Sequence, residues 1–363
     1  MAIIKRPSVS SAVISVVIAH TLFTLALPAQ AAETLPKVIH IAGQGNPYGT
    51  PYGTAVIGVL RAKGYLEKAF AADGVKIDWQ FPQGTGPAIN EALANGQLDF
   101  ANYGGLPNIV GRGSGLRTRI LASYGSSPIY VLARNGSGIN TLKALKGKKI
   151  AVSRGTILEL SLATLLQSVG LTENDIQLFD LKAADQISAL TSGDIDVVVG
   201  NSDILPLRDK GIGEVIYSTK GKTDPANIFG SLVVTEQFAQ HYPQATQRVV
   251  DAFVQAAAFA SDEKNRRQVL DIWAQTQIPR ASLESDYQGD LLKDRLSPLL
   301  DDYYRANLRR GITFARESKL IRRDIDVAQW VDDSYLNHAI TQFGYQTLWT
   351  QKEANGNDAP ATR

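Results

Sequence analysis

Short apolar runs and longer amphipathic stretches take turns along the first two thirds of the chain. Residues 38–42, 75–81 and 98–102 are brief, apolar or alternating, and are expected as strands. Between them, 54–70 places Val56, Val59 and Leu60 on one helical face, with an interruption near Gly64, and 88–94 is a shorter helix stopped by Asn95-Gly96. The order strand, loop, helix, strand, helix, strand describes a lobe built on a parallel sheet.

The pattern then starts again. Residues 150–152 form a short buried strand, Ser153-Arg154-Gly155-Thr156 a tight turn, and 157–167 a helix with Ile157, Leu158, Leu160, Leu162, Leu165 and Leu166 apolar. Thr156 is its expected N-cap. A strand at 176–181, a helix at 184–191 and a strand at 195–199 follow. Ala92-Leu93-Ala94-Asn95-Gly96-Gln97-Leu98-Asp99-Phe100 recurs as Ala189-Leu190-Thr191-Ser192-Gly193-Asp194-Ile195-Asp196-Val197, an offset of 97 residues. That period is too long for a solenoid and points to two similar lobes.

Further strands are expected at 120–122, 129–133 and 232–234, with crossings between lobes near 130–138 and 220–232. After Thr235 the spacing turns helical, over 247–275, 301–320 and 328–343. The resulting division is 37–130 for lobe one, 131–231 for lobe two, 232–345 for a mostly helical return to lobe one, and 351–363 for a polar, disordered tail. Trp273 and Trp330 read as core and carry no assigned chemistry.

The first 31 residues stand apart. Lys5-Arg6 precedes a mostly apolar run over 12–27, and Pro28-Ala29-Gln30-Ala31 ends in a small-x-small pattern. This is a secretory signal peptide with cleavage expected after Ala31. The formal charge of +2 comes from that leader, leaving 35 basic against 35 acidic residues. A neutral remainder argues against nucleic-acid binding. The absence of cysteine removes disulfides, thiolate metal sites, a cysteine nucleophile and a lipobox. An exported, cysteine-free chain with no second long apolar run fits a bacterial periplasm.

Catalytic patterns are absent. Gly111-Arg112-Gly113-Ser114-Gly115-Leu116 fails the dinucleotide fingerprint at its last position, and neither a Walker A motif nor a G-x-S-x-G elbow occurs. His40, His241 and His338 are isolated and lack metal spacing, so no metal or cofactor is expected.

Binding is better supported. In open α/β sheets ligands sit beyond the carboxyl ends of strands. Four polar loops lie at such ends: the Gly45 loop with Asn46 and Tyr48, the Tyr103-Gly104-Gly105 loop, the Arg154-Gly155-Thr156 turn, and the Asn201-Ser202-Asp203 loop. The turn before 157–167 joins a glycine, a helix N-terminus and a guanidinium, which is a physical recipe for holding an anion.

Gly64-Tyr65-Leu66-Glu67-Lys68, Phe81-Pro82-Gln83-Gly84, the Glu91–Phe100 stretch, Gly104 with Pro107, Leu145-Lys146-Gly147-Lys148-Lys149-Ile150-Ala151-Val152, Gly170-Leu171 and Phe238-Ala239-Gln240-His241-Tyr242-Pro243 occur in a specific order. In these residues, from about 37 to 245, the chain resembles the periplasmic solute-binding proteins of ABC importers in the nitrate/sulfonate/taurine group. The resemblance implies an α/β fold, a two-lobed periplasmic binding protein type 2 clamshell in which each lobe is a mainly parallel sheet flanked by helices. It implies a monomer that captures a small anionic solute, hands it to a membrane permease and ATPase complex, and performs no catalysis.

Many relatives carry an aspartate where Gly105 stands, a tryptophan where Ser202 stands, and a histidine where Glu159 stands. The glycine removes a repulsive carboxylate, and Glu159 facing the cleft would favour a cationic or hydroxylated tail. The expected solute is an aliphatic sulfonate. It would be met by N–H groups near Gly104-Gly105 and Gly155-Thr156, by hydroxyls of Ser126, Ser127 and Thr156, and by Arg154, with Tyr48, Tyr52, Tyr103 and Phe229 packing its tail. Taurine, nitrate, sulfate esters and neutral heterocycles are the alternatives within this class. A ligand-sensing adaptor for a membrane receptor is the alternative outside it. Pyrimidine-forming enzymes of thiamine synthesis share the fold but need a cysteine-rich segment, which this chain lacks.

Overall fold

The structure, a computed structural model, describes residues 1–3, 35–45, 53–82 and 85–360 of the 363. Nearly all of the expected leader, and the site candidates Asn46 and Tyr48, lie outside the described residues. The chain divides into Met1–Glu33 and Thr34–Arg363, and the described strands belong to the second unit.

These strands form two five-stranded sheets of matching design. The first has the order β2 (Lys76–Gln80), β1 (Val38–Gly43), β3 (Phe100–Gly104), β10 (Ile228–Thr235), β4 (Thr118–Ser127). The second has the order β7 (Gln177–Asp180), β6 (Lys149–Val152), β8 (Val197–Gly200), β5 (Tyr130–Arg134), β9 (Gly213–Ser218). The protein is thus a two-lobed α/β fold.

Each sheet is mixed, with four strands running one way, as expected of a mainly parallel sheet, and one reversed. In the first, β1 runs parallel to β2 and β3, while β10 is antiparallel to β3 and β4. In the second, β6 is parallel to β7 and β8, while β5 is antiparallel to β8 and β9. The reversed strand is in each case the first after the chain passes from one sheet to the other, at 128–129 and at 219–227. Such a strand enters from the far lobe and not over a helix, so the βαβ connection that enforces parallel pairing does not act on it.

The repeated motif has a structural reason. Asp99 and Asp196 end the loops that lead into β3 and β8. The Asp99 carboxylate accepts the N–H of His40 at 2.8 Å, and the Asp196 carboxylate accepts the N–H of Lys149 at 3.0 Å. Each residue's own N–H returns a bond to the carbonyl of that same partner. Asp99 and Asp196 therefore tie the loop to the adjacent strand in the two sheets alike.

Burial follows the strand period. In the second sheet Val131, Ala133, Ile150, Val152, Val197 and Val199 join the main core, whereas Tyr130, Leu132, Ala151 and Val198 pack with Leu190, Ile204 and Leu205 on the opposite face. Both faces are covered by helices, which is why these strands read as continuous apolar runs. On the first sheet the helix Pro243–Ser261 packs against Ala55–Ala62 and buries Val249, Val250, Phe253 and Val254. Trp273, fully buried, donates its indole N–H to the carbonyl of Ala55 at 3.0 Å. The helical pattern over 247–275 is broken at Asp262, whose side chain accepts the N–H of Lys264 and starts a new turn.

Residues 351–360, polar enough to read as a disordered tail, are instead tied down. Lys352 and Asp358 form an isolated bridge, the Lys352 N–H donates to Asp301 at 3.0 Å, and its carbonyl accepts the N–H of Tyr303 at 3.3 Å. Backbone hydrogen bonds hold this end, which composition does not report. No described helix is long and apolar enough to cross a membrane.

Candidate functional site

The helix Ile157–Ser168 begins where expected, with Thr156 as N-cap; its hydroxyl oxygen accepts the N–H of Leu158 at 3.2 Å and donates to the carbonyl of Ser153 at 2.7 Å. Gly155 has a φ of +70°, a left-handed conformation that suits glycine. The anion station ahead of this helix is occupied from within the chain. Glu159 is buried, and one carboxylate oxygen accepts the Gly155 N–H at 2.7 Å while the other accepts Nε of Arg154 at 2.7 Å. Two further carboxylates lie near Arg154: Glu173, 3.8 Å from its guanidinium, and Asp180, which accepts the Arg154 N–H at 3.0 Å. Burial, then the charge of Glu159, pushes the Glu173 carboxyl above its ordinary range, against the pull of Arg154.

Arg154, Gly155, Thr156 and Glu159 are therefore brought together, but as a self-satisfied helix cap. The reason was present in the sequence. Thr156-Ile157-Leu158-Glu159 has the capping-box spacing, in which the acid at the third helical position folds back on the helix start and does not project outward. Arg154→Ala is accordingly expected to act on stability and not on affinity. Urea denaturation should show a loss of about 1–2 kcal/mol, modest because the guanidinium is half exposed. Sulfonate affinity measured by calorimetry should change by no more than about threefold, within the noise of an indirect effect.

The other expected loops are also engaged internally. Asn201 and Asp203 exchange bonds, the Asn201 N–H donating to Asp203 at 3.1 Å and the Asp203 N–H to Asn201 at 3.0 Å. Burial pushes the Asp203 carboxyl up, and N–H groups of Asn201, Asp203 and Ile204 oppose that rise. Tyr103 is buried, with its hydroxyl donating to Asn90 at 2.9 Å. Gly104 and Gly105 are covered by apolar side chains: a Cβ on Gly104 would lie 3.0 Å from Ile157, and one on Gly105 would lie 2.3 Å from the Phe229 ring. Glycine at 105 thus makes room for Phe229, a packing reason beside the electrostatic one.

Three candidates do meet at an open space. Ser126, Ser127 and Phe229 line a cavity of about 450 Å³ beside the two connections between the sheets. The 219–227 connection adds Lys222, Thr223 and Asn227, and the C-terminal segment adds Lys293, Tyr303 and Asn307. The hydroxyls of Ser126 and Ser127 have no hydrogen-bond partner among the described residues, and neither Lys222 nor Lys293 is in an ion pair with a described carboxylate. The Lys222 ammonium lies 5.2 Å from the centre of the Tyr217 ring. Phe229 meets Tyr304 edge-on at 6.2 Å, and the Tyr304 hydroxyl is bonded to Ser231. The lining also carries three carboxylates: Asp290, which accepts from Arg295, Asp301, which accepts the N–H groups of Tyr304 and Lys352, and Asp294. Against them stand the donors that suit a small organic anion, two ammonium groups and two hydroxyls, beside an aromatic wall. Lys222, Asn227 and Lys293 had no sequence signal, since each lies in a polar stretch of ordinary composition.

Comparison with known proteins agrees with a binding role. A Bacillus subtilis (strain 168) protein, named as a candidate aliphatic sulfonates-binding protein, is 27% identical over 288 residues, which cover 78% of this chain and 84% of that one. The crystal structure of the periplasmic sulfonate-binding protein SsuA from Methylobacillus flagellatus KT is similar with a TM-score of 0.78 at 28% identity, covering 90% of this chain and 99% of that one. A mutant of the enzyme DszB, solved with biphenyl-2-sulfinic acid, shares the fold with a TM-score of 0.67 at 18% identity, covering 84% of this chain and 99% of that one. Residues 54–265, more than half of the chain and including Ser126, Ser127, Asn227 and Phe229 but not Lys293 or Tyr303, match the family described as NMT1/THI5 like, and it is to this family that the chain belongs.

Proposed function

We propose that the chain is the solute-binding component of an ABC importer, exported to the periplasm by a cleaved leader, and that it delivers a small organic anion, an aliphatic sulfonate, to a membrane permease and ATPase. The observation that carries this reading is the likeness to a sulfonate-binding protein along nine tenths of the chain. The sulfonate head is met by the ammonium groups of Lys222 and Lys293 and the hydroxyls of Ser126 and Ser127, and the tail packs on Phe229 and Tyr303. A sulfonate offers three acceptor oxygens, which match the donors of Lys222, Lys293, Ser126 and Ser127, while the lining carboxylates of Asp290 and Asp301 are engaged by Arg295 and by backbone N–H groups. The cavity lies beside both connections between the lobes, so the solute contacts the segments about which a hinge closure would turn.

Binding without chemistry is the fitting role. The cavity holds no nucleophile paired with a base, and the chain has no cysteine to act as one. A thermal-shift series of sulfonates, sulfate esters, nitrate and neutral heterocycles tests the proposal. An aliphatic sulfonate at about 100 times its dissociation constant should add about 2.7 kcal/mol of stability. A shift for a neutral heterocycle, with none for any sulfonate, would overturn the solute class.

A further inference from the structure

Residues 351–359 turn back on themselves as a hairpin. The Ala359 N–H donates to the carbonyl of Gln351 and the Glu353 N–H to that of Asn357, each at 2.8 Å, and the Lys352 ammonium meets the Asp358 carboxylate at 2.8 Å. The base of the hairpin belongs to the cavity wall, where Thr350 and Lys352 join Ser126, Thr223 and Tyr303. Its tip is seated on the 219–227 connection between the sheets. A Cβ on Gly356 would lie 2.6 Å from Thr223 Cγ2 and 3.4 Å from the Tyr303 ring, and the φ of +88° there also calls for glycine. The tip is thus fitted to two residues of the wall, Thr223 and Tyr303.

Little apolar contact holds the hairpin down. Gly356 is the only buried residue among 351–359, and none of the nine belongs to a hydrophobic cluster. The Asp358 side chain is 68% exposed, so its ion pair with Lys352 lies mostly in water and contributes little. Segments with few buried contacts and exposed backbone hydrogen bonds open at a small fraction of the free energy that unfolds a core. The residue before Thr350 is the opposite case: Trp349 is buried and donates its indole N–H to the Ser261 hydroxyl at 2.9 Å, which stops the opening there. We infer that the hairpin over residues 351–359 is a gate on the cavity, which opens by local unfolding beyond the Trp349 anchor and closes when Gly356 reseats on Thr223. This rests on the cavity being the solute site, whatever the solute, and concerns its regulation: the hairpin sets the rate at which the cavity exchanges its contents while the core stays folded.

Hydrogen exchange read by mass spectrometry on the unmodified mature chain is the first test. Amides of 351–359 should exchange at least about tenfold faster than those of the buried strand Val197–Gly200. Equal protection would overturn the inference, because the hairpin would then open only when the whole core does. Access to the cavity is the second test. The chain has no cysteine, so Ser126→Cys places a single thiol in the cavity wall, and N-ethylmaleimide reports how readily it is reached. Ending the Ser126→Cys chain after Thr350 should raise the labelling rate by about tenfold or more, with the near-ultraviolet circular dichroism of the core retained. Where the shortened chain fails to fold, Gly356→Val in the full chain, which cannot reseat on Thr223, makes the same comparison. Labelling at one rate with the hairpin seated and with it removed or displaced would overturn the gate. Neither test uses a sulfonate, so a failure here leaves the solute reading standing, and a failure of every sulfonate to bind leaves the gate standing.

Discussion

Asp286→Ala is expected to destabilise the protein by about 3 kcal/mol, because it takes from a buried guanidinium one of its two carboxylates and from a buried hydroxyl its acceptor. Asp286 and Arg295 have side chains only 3% and 9% exposed, and the Arg295 Nη2 donates to Asp286 at 3.0 Å. The other Asp286 oxygen accepts the hydroxyl of Tyr130 at 2.6 Å. Arg295 also donates to Asp290 at 2.9 Å and to the carbonyl of Ser126 at 3.2 Å, and its guanidinium lies 4.0 Å from the centre of the Tyr287 ring. Burial, then the Asp286 carboxylate, pushes the Tyr130 hydroxyl well above its ordinary range, so it remains a donor throughout the working pH range.

This network joins the first strand of the second sheet to the C-terminal segment and to the end of β4, next to a connection between the lobes. Its loss leaves Arg295 with one carboxylate and Tyr130 with no acceptor. Urea denaturation monitored by circular dichroism gives the measurement. The double variant Asp286→Leu with Arg295→Met should recover a large part of the loss, since apolar groups of similar volume often replace a buried ion pair without penalty. A single-variant loss under about 1 kcal/mol, the range of an exposed pair, would show that the network carries little.

Gly125→Ala should be comparably severe, by about 3–5 kcal/mol, with two separable causes. Gly125 has a φ of +96°, where an alanine is strained. A Cβ there would lie 2.1 Å from the carbonyl oxygen of Arg295 and 3.0 Å from the Leu296 Cα, so backbone would have to move. Gly136, with a φ of +77° and nothing within 4 Å of its Cβ position, isolates the first cause. Gly136→Ala should cost only about 1–2 kcal/mol. If the two variants unfold at the same urea concentration, the contact with Arg295 is not the constraint the geometry describes. Gly125 lines the cavity beside Ser126, so the same variant should also impair solute binding.

Most of the fold could be read from local pattern. Strands β1, β3, β6 and β8 are runs of apolar residues between polar punctuation, and a buried strand needs little else to be recognised. The recurrence of the Asp99 and Asp196 motifs placed two similar lobes side by side in the sequence, and the matching bonds to His40 and Lys149 give the motif its cause. The direction of β5 and β10 was not visible, because apolar alternation is the same for a parallel and an antiparallel strand. The order at the chain's end was hidden too, since Lys352 and Asp301 are held by hydrogen bonds that leave no hydrophobic trace.

The candidate site divides in the same way. The Thr156 cap and the Gly155 turn are matters of nearest neighbours, and both were legible. So, by its spacing, was the return of Glu159 onto its own helix, where it meets the Gly155 N–H and the Arg154 guanidinium from within the chain. The cavity is different. Ser126, Asn227 and Lys293 are about a hundred residues apart in one step and sixty-odd in the next, and they meet because the chain leaves one sheet at 128–129 and returns at 219–227. Periodicity and capping act over a few residues and are written in the sequence itself. Which polar groups end up facing one another without partners depends on how distant segments close, and only the tertiary structure decides that.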